Sequence, residues 1–214
     1  MPLEDQNLLK VIEELDPENS LGALLVVQMG TTPQEVQLIL ETTRYDEGKE
    51  ALQRGDSYIV RCISVQEHRV SVGLFRKMVY TEDHPLLWNH NHMYRQVYFR
   101  GRPDHVEDLM LELNQLYGEH YGAFRSLASD VNHAMPLGTL LTSGDGMLGE
   151  MPAPMAEKVK RLLERHGFKV CFITSDMEPP EIQYSLLVMD DSFFIAHMFS
   201  ADPVQARPNN LTAD

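Results

Sequence analysis

Histidines are the residues of this chain whose type and spacing best suit chemistry. His90 and His92 stand two positions apart, with His84 and His105 close by in the sequence. Imidazole is a good ligand for zinc or iron. His90, His92 and His105 are therefore the candidate metal ligands, and a metal there would polarise a carbonyl or activate water. That reading makes the chain a metal-dependent hydrolase or oxygenase, with Glu112 as base or further ligand. His105, Asp108 and Glu112 also fall at i, i+3 and i+7, one row of a helix. The same spacing arises on any solvated helix face. HExxH is absent, as is the paired Cys/His spacing of structural zinc sites.

Acid–base and nucleophilic chemistry have raw materials without an anchor. His133, Asp145 and Glu150 border a glycine-rich stretch that holds Ser143. No G-x-S-x-G elbow surrounds that serine, and Ser143-Gly144-Asp145-Gly146 matches no phosphate-binding fingerprint. No catalytic residue is assigned. Cys62 and Cys171 sit in apolar, strand-like runs and read as buried thiols.

A second constellation is basic and aromatic. Formal net charge is −14, from 32 acidic and 18 basic side chains. Its distribution is uneven. Residues 1–50 carry 11 acidic and 3 basic side chains, residues 51–101 carry 4 and 7, and residues 102–214 carry 17 and 8. Arg76, Arg95 and Arg100 lie in the positive middle, with Trp88, Tyr94 and Tyr98 beside them. Arginine and aromatics are enriched at protein interfaces. These six residues are the candidate partner- or ligand-binding set, on the premise that strands over 70–79 and 93–100 pair. Met135, Met147, Met151 and Met155 add flexible thioethers around an irregular stretch. The leading expectation is a non-catalytic protein-binding or adaptor protein. The alternatives are the metal enzyme and a binder of a small acidic ligand at Arg95 and Arg100. The acidic balance argues against nucleic acid and an anionic membrane as partners. No run reaches the ~20 apolar residues that span a bilayer, and no signal peptide opens the chain. A cytoplasmic protein is expected.

These residues need elements to position them. Leu8, Val11, Ile12 and Leu15 recur at helical spacing, so residues 4–15 read as a helix. Leu24 to Met29 is an apolar strand. Thr32-Pro33-Gln34-Glu35 resembles a capping box with proline at N1, which predicts a helix with Val36, Ile39 and Leu40 inside. Val36, Leu38, Leu40 and Thr42 also alternate as a strand would. Residues 46–56 read as connection, 57–79 as a hairpin and 81–92 as a loop. Next come a strand over 93–100, a helix from Pro103 to Gly118 and a second helix over 119–131. Residues 132–153 are irregular. A helix from Pro154, a strand over 168–173 and an antiparallel pair over 182–189 and 193–199 complete the order αβαβββ–αα–αβββ. Hairpins outnumber βαβ units, so the fold class is α+β with mainly antiparallel sheets and packed helices. Residues 1–201 form the folded part, any division into subdomains falls near 132–153, and 202–214 is a flexible tail.

Overall fold

The computed structural model describes residues 5–15, 20–46, 48–174 and 180–204. In chain order the elements are α1 (Gln6–Glu14), β1 (Ser20–Met29), β2 (Val36–Asp46), β3 (Ala51–Ile63), β4 (Glu67–Arg69), β5 (Gly73–Phe75) and β6 (Met78–Thr81). Then come α2 (Trp88–Asn91), β7 (Tyr94–Arg100), α3 (Val106–Tyr121), α4 (Leu137–Thr142), β8 (Asp145–Pro152) and α5 (Ala153–Arg165). β9 (Lys169–Thr174), β10 (Ser185–Met189), β11 (Ser192–Ala196) and β12 (Met198–Pro203) complete the chain. All strand pairs are antiparallel, so the fold is α+β with mainly antiparallel sheets. Two compact units result. Unit 1 takes residues 1–82 and 184–214, and unit 2 takes residues 83–183. Residues 132–153 lie inside unit 2.

Unit 1 is built from two sheets, ordered β12-β3-β2-β1-β5 and β4-β11-β10-β6. Alternation drives the packing. Val36, Leu38 and Leu40 turn inward from β2, Tyr58, Val60 and Cys62 from β3, and Leu187, Met189 and Phe194 from the second sheet. Leu8 and Val11 of α1 complete the same core. Asp5 caps that helix by accepting the Leu8 amide at 2.8 Å.

The helix predicted after Thr32 is strand β2. Its capping-box chemistry is nevertheless present. The Thr32 hydroxyl donates to Glu35 Oε2 at 2.8 Å, and the Thr32 amide reaches the same oxygen at 3.4 Å. These bonds close the β1–β2 turn, where Gln34 adopts a positive φ of 63° and the Gly30 amide donates to the Glu35 carbonyl at 2.7 Å. Such a box fixes only four residues. The conformation from Val36 onward is set by pairing with β1 and β3 on both sides, which overrides local propensity.

Other expectations change for the same long-range reason. Residues 46–56 are the tip of the β2–β3 hairpin. Residues 57–79 form no hairpin of their own, because β3 pairs with β2 and β12, β5 with β1, and β6 with β10. Asp202 and Pro203 belong to β12, while 205–214 lie outside the described residues.

Unit 2 is a three-stranded sheet, β8-β7-β9. α5 packs on all three strands and α3 packs on α5 and α4. β8, α5 and β9 make a crossover with β7 inserted between its strands, a split βαβ unit. α3 runs through Gly118 to Tyr121 and stops at Gly122, whose φ is +58°. No second helix occupies 119–131. A 3₁₀ turn at Leu127–Ser129 stands there, and the irregular 132–153 holds α4 and β8. Residues 81–92 hold a second 3₁₀ turn, Pro85–Leu87, and α2. Cys62 is buried, but Cys171 is exposed, since its side of β9 is not covered by the helices.

The Gln37 amide and the Thr32 hydroxyl hold the Glu35 carboxyl below the usual carboxylate range, against the opposing effect of burial. The unfolded chain therefore binds the extra proton first. Stability is fully present above the ordinary carboxylate pKa and falls as pH drops through the lowered folded value. Urea midpoints from pH 7 to pH 3 should show a shallower acid slope for Glu35→Gln than for the parent. Equal slopes would contradict this role.

Candidate functional site

The alternation of β7 sorts the basic and aromatic residues onto two faces. Val97 and Phe99 are buried toward the helices. Arg95 shares their side. Its guanidinium meets Glu157 Oε1 of α5 at 2.5 Å and lies 5.0 Å from the centre of the Phe172 ring. Trp88 is also a packing residue, with ring centres of His120 and Tyr121 at 5.7 and 6.1 Å and Lys158 Nζ at 5.9 Å. Tyr94 is half-buried at the start of the strand.

Tyr98 and Arg100 point to the opposite face, which the helices leave open. Register brings their neighbours into rows. Tyr98 lies between Met147 and Cys171, and Arg100 between Asp145 and Lys169. Gln96 lies between Glu150 and Ile173, and Ile173 is 53% exposed. The resulting surface is apolar and aromatic in the middle and charged at its rim. Arg95 and Arg100 therefore do not form one surface. Arg76 belongs to unit 1, where the Arg76 and Lys77 amides donate to Asp190 at 2.8 and 3.3 Å. Strands 70–79 and 93–100 sit in different sheets, so the pairing expected between them does not occur.

The open face is held up by a cluster that sequence reasoning missed. Asp130 is buried. Its carboxylate accepts from Tyr117 Oη at 2.8 Å and pairs with Arg125. Its carbonyl accepts the Glu150 amide at 3.0 Å, and the Asn132 amide donates to the Leu148 carbonyl at 2.7 Å. Val131 bridges Gly149. A Cβ at Gly149 would collide with the Asp130 carbonyl oxygen, so only glycine admits this approach. Burial, and then the Asp130 charge, push the Tyr117 hydroxyl far above its ordinary value. This tyrosine is a fixed donor, not an acid. The signal available in the sequence was three polar residues, Tyr117, Arg125 and Asp130, within fourteen positions. Their helical assignment hid it.

Among the described residues no three His, Cys, Asp or Glu side chains stand together in a way that could hold a metal ion. His90, His92 and His105 thus make up no three-ligand set there. His105 is the N-cap residue of α3, without a side-chain cap bond. Glu112 is turned toward α5 instead, 3.2 Å from His166 Nε2 and 3.2 Å from Arg165. Ser143 Oγ lies 2.7 and 2.8 Å from the carbonyl oxygens of Leu140 and Asp145. Its proton is engaged by the main chain, unlike that of an activated nucleophile. His133 and Met135 line a groove of about 520 Å³ against Asn114 and Leu127. A second groove, about 400 Å³, runs between α3 and α5 with alternating charges: Glu112, Glu119, Lys158, Arg161 and Arg165. Neither groove brings together a nucleophile, a base and an oxyanion donor.

Comparison with protein-family models, with curated proteins and with solved structures gives no match. The functional reading therefore rests on the residues themselves.

Two outcomes test the supporting framework. Asp130→Ala leaves Arg125 half-buried without its carboxylate and should cost about 3–5 kcal/mol in chemical denaturation, the range for breaking a buried ion pair. A loss under about 1 kcal/mol would be the surface-pair result. His84 Nδ1 accepts the Leu86 amide at 3.2 Å, and burial lowers its pKa. The neutral ring is the folded form. Its contribution is present above the unfolded histidine value, near 6.5, and lost as pH falls through the lowered folded value. An NMR titration of the imidazole should give a midpoint below 6.5 and a linked loss of stability on acidification, both absent in His84→Asn.

Proposed function

We propose that this chain is a non-catalytic protein-binding protein and that it recognises its partner through the open face of the β8-β7-β9 sheet. The observation that carries the reading is that face itself. Tyr98, Met147, Cys171 and Ile173 present adjoining apolar and aromatic surface, with Arg100 and Lys169 at one end. A flat tyrosine supplies contact area at low entropy cost, and arginine supplies directed donors. The partner that fits offers apolar side chains to the centre and a carboxylate to Arg100 and Lys169. Enzymatic readings draw less support. Ser143 is bonded to the main chain, Glu112 is committed to α5, and Arg95 is neutralised by Glu157. A small acidic ligand would have to do without the Arg95–Arg100 pair.

Quantitative capture from lysate by the full chain tests the reading. Tyr98→Ala and Arg100→Glu should each weaken capture of the same partner at least tenfold. Arg161→Gln, exposed on α5, should leave it unchanged. Saturable binding that ignores Tyr98 and Arg100, or is lost only with Arg161, would move the site elsewhere and overturn the proposal.

A further inference from the structure

Unit 1 carries an open strand edge of unusual composition. β5 covers β1 only at Gly22, Ala23 and Leu24. Beyond that, no strand among the described residues pairs with Leu25–Met29 on the β5 side, although β2 pairs with it on the other. The register shifts between Leu24 and Val26, and Leu25 and Val26 are both exposed, at 47% and 40%. Met29 at the end of the strand is 70% exposed. Leu74 and Val72, at and just before β5, extend the apolar surface. The segment Leu25-Val26-Val27-Gln28-Met29 contains no charge and no proline.

Proteins normally blunt free edges with charges, proline or short strands, because bare main-chain donors and acceptors recruit another strand. This protein does so elsewhere. The opposite edge of the same sheet, β12, ends in Asp202 and Pro203, and the edge strand β4 is Glu67-His68-Arg69. The β1 edge carries neither a charge nor a proline, and the bulge between Leu24 and Val26 is its one irregularity.

We infer that this edge is a homodimerisation site, at which Leu25–Met29 pairs antiparallel with the same five residues of a second copy. The lengths match. A two-fold centred on Val27 sets Leu25 opposite Met29 and Val26 opposite Gln28. The incoming Gly30, where that strand's own turn begins, then falls opposite Leu24, where β5 starts to cover β1. The pairing is isologous and closed. No charge opposes a charge across it, although each chain carries −14 overall. Five residues span about 17 Å at ~3.4 Å each, so the interface is small and the dimer is weak and concentration-dependent. Repulsion between two acidic chains is screened by salt while the neutral edge is not affected. Salt therefore tightens the dimer, the reverse of an interface held by ion pairs. The inference concerns unit 1 alone and does not depend on the face proposed above in unit 2.

Sedimentation equilibrium of the full chain over a wide concentration range tests it, together with hydrogen exchange at the same concentrations. The expected result is a reversible dimer, tightened by added salt. Amides within Val26–Met29 should exchange more slowly as the dimer forms. Leu25→Lys combined with Val26→Lys should weaken association at least tenfold, and Leu52→Lys at the exposed hairpin tip should leave it unchanged. A chain that stays monomeric throughout would overturn the inference, including the case in which a strand from another protein fills the edge. So would a dimer whose protection falls on a different strand. Exchange on the unmutated chain decides the matter even if the lysine variant folds poorly.

Discussion

The pairing of β6 with β10 is the interaction on which the organisation of the whole chain depends. Thr81 faces Leu186 and Met78 faces Met189 across that ladder. The chain therefore leaves unit 1 and re-enters it at neighbouring points, with unit 2 threaded between. Unit 1 cannot close its core without both ends of the chain. Leu8, Leu24 and Leu38 come from one end, and Leu187, Phe194 and Phe199 from the other. Closing so long a connection costs little more than closing a short one if the loop is flexible, because the entropy grows only with the logarithm of its length. A connection already folded into unit 2 has fewer states left to lose.

Both units use the same three groups, a tyrosine hydroxyl, a carboxylate and a cation, to tie a helix to its neighbouring segment. In unit 1 Tyr58 Oη donates to Glu14 at 3.0 Å, and Lys10 lies 3.3 Å from that carboxylate. In unit 2 the set is Tyr117, Asp130 and Arg125. Environment separates their weights. The Lys10 side chain is 55% exposed, so its ion pairs are screened and contribute little. The Asp130 side chain is almost wholly enclosed, so its partners cannot be replaced by bulk water. The buried set is the one that constrains structure, because the same Asp130 lends its carbonyl to the Glu150 amide on the outer edge of β8.

The α+β class, the helices at 4–15 and from Pro154, and the core of the hairpin expected over 182–199, which pairs Ser185–Met189 with Ser192–Ala196 while Met198 and Phe199 join β3, were legible because each rests on a local period or turn. Asp190 adopts a positive φ of 46° between β10 and β11, as expected of a short aspartate-rich turn. The period of two separates Arg95 from Arg100 whatever the sheet order, so the pattern of β7 itself already spoke against a shared Arg95–Arg100 surface. Other features were not legible. The box Thr32–Glu35 is the same chemistry at a helix start and at a hairpin turn. Strand partners such as Thr81 and Leu186 leave no mark in either segment. Gly118 can sit within a helix, so its identity did not mark the helix end, whereas Gly122 could supply the positive φ that α3 needs to stop. Sequence proximity of His90, His92 and His105 carries no information on where their rings point, and among the described residues they belong to no three-ligand group.

An open sheet face and an open sheet edge make different demands on whatever meets them. A face offers side chains, so complementarity is set by which residues stand in its rows, and a single exchange at Tyr98 or Arg100 changes it. An edge offers main chain, so complementarity is set by register and length, and side chains matter only where they block approach. The bulge at Leu24–Val26 places two exposed side chains next to each other on the β1 edge, and both are apolar. A lysine at either site would have blunted it, as Glu67 and Arg69 do on β4. On the proposals made for the two surfaces, partner choice rests with unit 2 and self-association with unit 1. Because the two surfaces lie on different sheets, a substitution at Tyr98 or Arg100 alters no side chain in the rows of β1, and a lysine at Leu25 alters none in the rows of β7.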